Sequence, residues 1–148
     1  MSIADDVNAA IADAMRKHDP AKLSALRMLK AALTNRSVEK GRALEDAEAR
    51  QVVSALVKQR KDSIEQFTKG GRKDLADKET AEIAVLESYL PPAADPAAVE
   101  QAVVEAIAET GATSPKDLGR VMKAAMAKLA GQNVDGKAVN ELVRRKLG

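Results

Sequence analysis

Between residues 46 and 71 apolar side chains recur at 49, 52, 53, 56, 57, 64 and 67, and Gly70-Gly71 closes the run. That three-and-four spacing is the period of a helix and is incompatible with the two-residue alternation of a half-buried strand. The building materials point the same way. With one Phe, one Tyr and no Trp, a core has to be assembled from Leu, Val, Ile, Met and Ala, which suit close-packed helices better than a sheet enriched in aromatic residues. A 45% hydrophobic and 31% charged composition is that of a chain that folds. The fold class read from these features is all-α.

The remaining segments can be punctuated in the same way. Ser2 is placed to cap a first helix in which Ile3, Val7, Ala10, Ile11 and Ala14 share a face, with Asp5 and Asp6 in its first turn and its end near His18. Asp19-Pro20 opens a second helix, carrying Leu23, Leu26, Leu29 and Leu33 up to the polar KGR run at 40–42. Beyond Gly70-Gly71, Leu75, Ala76, Ile83, Leu86 and Leu90 define a fourth helix stopped by Pro91-Pro92, and the short connection makes helices three and four antiparallel neighbours. The tract PPAADP at 91–96 has no apolar period and reads as a boundary. Three more helices follow: one from Asp95-Pro96 to Gly111, one from Ser114-Pro115 to Gly131, and one capped by Asp135. The expected organisation is a four-helix bundle-like domain over 1–91 and a small three-helix domain over 95–148, with the Pro-rich boundary at 91–96 between them.

One residue breaks the apolar stripe of helix three. At 100° per residue Arg60 falls within roughly 20 to 40° of Val53, Leu56, Ile64 and Phe67, so it points inward. Glu79 occupies the same anomalous position on helix four, and a hairpin turning at Gly70-Gly71 sets Arg60 within a turn of both Glu79 and Glu82. A lone buried charge costs several kcal/mol, whereas a guanidinium with satisfied donors is tolerated. Arg60, Glu79 and Glu82 are therefore expected to form a structural buried ion pair rather than a ligand contact.

Catalytic constellations are hard to assemble. There is no Cys, which excludes disulfides, thiolate ligands and cysteine nucleophiles. His18, the single histidine, sits at a helix end with no serine in a strained turn to activate. No phosphate-cradling glycine motif is present, and the Glu-x-x-His spacing of di-iron bundles is missing. No catalytic residue, metal or cofactor is expected. The N-terminus has no run of signal-peptide length and no segment approaches a membrane span, so the expected compartment is the cytoplasm.

Net charge is only +2 but unevenly spread: residues 74–111 hold 1 basic and 9 acidic groups, whereas residues 112–148 hold 8 and 3. On a helix from 115 to 129, Lys116, Arg120 and Lys123 fall within about 60° of one another, opposite the apolar stripe, and the last helix adds Arg144 and Arg145. Five such cations can engage phosphates. The near-absence of aromatics argues against stacking on splayed bases, so an RNA partner should be recognised as a folded, phosphate-presenting shape.

Four segments, ALRMLKAAL at 25–33, LVKQRKDSIEQF at 56–67, ADKETAEIAVLESYLP at 76–91 and LGRVMKAAMAKLAGQNVDGKAVNELVRRKL at 118–147, together resemble the YqeY family. These are small bacterial all-helical proteins similar to the tail of the tRNA-dependent amidotransferase B subunit (the GatB/YqeY domain). The resemblance implies a helical bundle followed by a three-helix domain. It also implies association with a carbon-nitrogen ligase system that amidates glutamate or aspartate misacylated on tRNA, with glutamine as nitrogen donor. Lys116, Arg120, Lys123, Arg144 and Arg145 become candidate tRNA contacts, and Gly119 and Asn140 match family motif positions. The chain lacks the catalytic cradle and the amidase subunit of that system. The expected function is thus a non-catalytic tRNA-associated accessory protein, with amidotransferase or synthetase components as further partners. The alternative is a helical protein-protein interaction adaptor without RNA binding.

Overall fold

Ser2 starts the described chain as a capping box: its Oγ accepts from Asp5 N–H at 3.1 Å while the Asp5 carboxylate accepts from Ser2 N–H at 3.4 Å. The helix launched there, α1, covers Ile3–Arg16. The computed structural model describes residues 2–148, and no strand occurs among them. The molecule is all-α. Contacts divide it into two compact units, Met1–Leu90 and Pro91–Gly148.

In the first unit α1 is followed by α2 (Pro20–Lys40), α3 (Asp46–Lys69) and α4 (Lys73–Glu87). Asp19 caps α2 through Lys22 N–H at 3.1 Å, with Pro20 at the first helical position. The start of α3 is held by a carboxylate fork: Glu48 accepts from Glu45 N–H at 3.1 Å and takes both Arg42 Nη atoms, at 2.7 and 3.0 Å. The core gathers Ile3 and Val7 from α1, Leu29 and Leu33 from α2, Val53 and Val57 from α3, and Ile83 and Leu86 from α4. α3 packs most extensively against α4. α4 ends at Glu87, three residues before Leu90, with Ser88 Oγ donating to Val85 O at 2.6 Å; the prolines at 91 and 92 thus follow a helix already closed.

The second unit holds α5 (Pro96–Thr110), a 3₁₀ turn at Pro115–Asp117, α6 (Leu118–Lys128) and α7 (Gly136–Leu147). Val103 and Ala106 of α5, Val121 and Ala125 of α6, and Val139 and Val143 of α7 meet in its core with Leu129. The tract at 91–94 is part of this unit. Ala94 N–H donates to Asn133 O at 2.9 Å, and Asn133 Nδ2 donates to Pro91 O at 2.8 Å, so one asparagine fastens the tract as a strap.

Candidate nucleic-acid interface

The segment before α6 is not a continuous helix. Asp117 N–H donates to Ser114 O at 3.0 Å, and the Asp117 carboxylate accepts from Thr113 N–H at 3.1 Å, winding Pro115–Asp117 into a tighter turn. Lys116 consequently leaves the chain on a 3₁₀ turn, and the angular position expected for it on a straight helix from 115 to 129 does not apply. Arg120 and Lys123 stand on α6, and Arg144 and Arg145 in the last turn of α7. All five side chains are exposed.

Their electrostatic situations differ. Arg120 Nη2 donates to Asp117 Oδ1 at 2.6 Å and its Nη1 to Thr110 O at 3.3 Å, fastening the end of α5 to the start of α6. The Arg120 guanidinium, with help from Thr113 N–H, holds the Asp117 carboxyl below the usual carboxylate range. Lys128 is engaged by Glu109 at 2.6 Å and Glu105 at 3.6 Å, and Lys146 by Glu100 at 3.1 Å. Glu109 holds the Lys128 ammonium above its ordinary range. Lys116, Lys123, Arg144 and Arg145 have no acidic partner among the described residues. Asp117 is the residue that sequence reasoning overlooked, although an acid three positions before Arg120 is a readable signal. Gly119 is exposed in the first turn of α6, where a Cβ would meet nothing within 4 Å, so no contact within the unit requires glycine there.

Arg60 is the one buried polar or charged side chain among the described residues, 8% exposed. Its Nε donates to Glu82 Oε2 at 3.1 Å, Nη1 donates to Leu56 O at 3.2 Å, and Nη2 meets Met28 Sδ. Glu79 Oε2 stands 3.7 Å from Nε, beyond a hydrogen bond. Each of the three guanidinium nitrogens has a partner inside the bundle, which fits a structural role better than a ligand contact. Among the described residues no group of three or more His, Asp or Glu side chains is arranged to hold a metal ion, and no helix is long and apolar enough to cross a membrane.

Comparison with known proteins gives a consistent affiliation. A protein of Lachancea thermotolerans named "Altered inheritance of mitochondria protein 41, mitochondrial" is 31% identical over 105 residues, covering 69% of this chain and 56% of that protein. The protein of the same name from Pyrenophora tritici-repentis is 26% identical over 144 residues, 96% of this chain and 79% of its own length. The Kluyveromyces lactis protein, again of that name, is 31% identical over 105 residues, of which this chain spans 57% of the full length. The chain thus spans little more than half of two of these three relatives. The family described as "Yqey-like protein" matches residues 4–147, nearly from end to end and across both units, and the chain belongs to that family.

Proposed function

We propose that the protein is a non-catalytic, tRNA-associated accessory factor and that the second unit supplies its RNA contact. The observation that carries this reading is the division of labour among the cations of residues 112–148. Arg120, Lys128 and Lys146 are tied to acids of their own unit. Lys116, Lys123, Arg144 and Arg145 are exposed and without an acidic partner among the described residues. Cations already neutralised by neighbouring acids do little for a polyanion, whereas free ones release its condensed counterions on binding. The family's similarity to the tail of the amidotransferase B subunit makes tRNA the expected polyanion. The working compartment under this reading is the one where that tRNA is charged: the cytoplasm, or the mitochondrion for relatives so named.

The deciding experiment is an electrophoretic shift with unfractionated tRNA at 50 and 200 mM salt. Binding should weaken steeply between the two, and Lys123→Glu or Arg144→Glu should each weaken it at least tenfold at low salt. Absence of binding at 50 mM, or binding indifferent to both changes, overturns the proposal. The adaptor reading draws on Val38, 73% exposed at the mouth of a cavity of about 290 Å³ between α1 and α2. It predicts protein partners that survive nuclease treatment and are lost with Val38→Asp.

A further inference from the structure

We infer that the second unit binds a medium-chain aliphatic carboxylate in the cavity between the 91–94 strap and α7. The cavity measures about 300 Å³ and its walls are almost wholly apolar. α7 contributes Ala138, Leu142 and Arg145, spaced by four and three residues and therefore on one helical face. An aliphatic track thus leads along roughly 10 Å of helix to a guanidinium. Val99 and Val134 add branched aliphatic side chains to the lining.

Two features separate this slot from an ordinary surface dimple. The strap over it is already fixed, through Ala94 N–H to Asn133 O at 2.9 Å and Asn133 Nδ2 to Pro91 O at 2.8 Å, so the slot is built before a ligand arrives. Arg145 has no hydrogen-bond acceptor among the described residues, while Asp135, the other charged group on the wall, accepts from Lys137 N–H at 3.0 Å. An apolar slot ending in a free guanidinium is complementary to a hydrocarbon chain ending in a carboxylate, with the chain along α7 and the head on Arg145. A nucleobase would find no aromatic platform there. The inference does not rest on RNA binding, and its test contains no RNA.

The test is a titration of the full chain, labelled at its Val and Leu methyls, with sodium octanoate at neutral pH. The methyls of Val99, Val134 and Leu142 should shift saturably, and 1-octanol should bind about tenfold more weakly, since it forfeits the charge-assisted hydrogen bond. Arg145→Gln should bring octanoate down to the level of octanol. Ala138→Phe, with its fold verified from the methyl spectrum, should abolish binding by filling the slot. No saturable shift at millimolar octanoate, equal affinity for octanol, or undiminished binding by either variant overturns the inference.

Discussion

Arg60 is accommodated in a helical core because each of its three guanidinium nitrogens finds a partner there. Nε takes Glu82, Nη1 takes the Leu56 carbonyl one turn back along α3, and Nη2 takes the Met28 thioether. The two carboxylates near it are unequal: Glu82 is in hydrogen-bonding range at 3.1 Å, and Glu79 contributes charge alone from 3.7 Å. Glu82→Gln should therefore lower the unfolding free energy by about 2 kcal/mol, and Glu79→Gln by less than about 1 kcal/mol. Urea midpoints at unchanged m-value measure both, and equal losses would show that position along α4 does not matter. Arg60→Met should come within about 1 kcal/mol of the parent, because a well-packed apolar replacement removes the desolvation cost together with the pair. His18 carries the second local anomaly, a φ of +53° just after α1. Its amide donates to Met15 O at 3.3 Å and the next amide, of Asp19, to Ala14 O at 3.0 Å, the left-handed helix ending usually given to glycine. The only histidine in the chain is thus a terminator. His18→Asn should be neutral within about 0.5 kcal/mol, whereas His18→Val, β-branched in the left-handed region, should cost about 1 kcal/mol or more in a thermal melt.

Among the elements, α3 has a start whose stability depends on pH. Arg42, then the Glu45 amide, then Lys40 hold the Glu48 carboxyl down from 4.5 to about 2. A carboxylate depressed on folding contributes stability that is complete above its unfolded value and is lost as pH falls through the folded one. The α3 start should accordingly loosen between about pH 4.5 and pH 2, and Glu48→Gln should flatten the melting temperature across that window relative to the parent; a parent-like slope in the variant would place the titrating group elsewhere. The 110–120 connection shows where reading by periodicity fails. Apolar spacing located α6 correctly, because Leu118, Val121, Met122 and Ala125 obey the helical period, but it cannot sense that Asp117 draws Thr113 and Arg120 inward and tightens 115–117 into a 3₁₀ turn. With its charge compensated 2.6 Å away, Arg120 should matter less to RNA than its neighbours. Arg120→Gln is expected to speed amide exchange at Thr113 while weakening tRNA binding less than Lys123→Gln does.

At the scale of the whole molecule, the helices, their caps and the inward Arg60 were legible because each depends on residues within a turn or two, or on the register of one short hairpin. The strap was not: its fastening reaches from Pro91 to Asn133, across two helices, and no local pattern in PPAADP announces it. The allocation of cations was equally hidden, since Lys128 and Lys146 find their acids on a different helix. If four free cations carry the RNA contact, neutralising any one should lower the slope of log K against log salt by about one, whichever tRNA is used. The asparagine fastening also imposes an order in time. The first unit ends at Leu90, so all four of its helices have been synthesised before the strap is. Residues 91–94, in contrast, have no backbone partner until Asn133 has been added, about 40 codons later, a delay of roughly 2 to 8 s at ordinary elongation rates. For that interval a nascent chain carries all four helices of the first unit followed by an unfastened tail, so the strap can close only as a late event of synthesis.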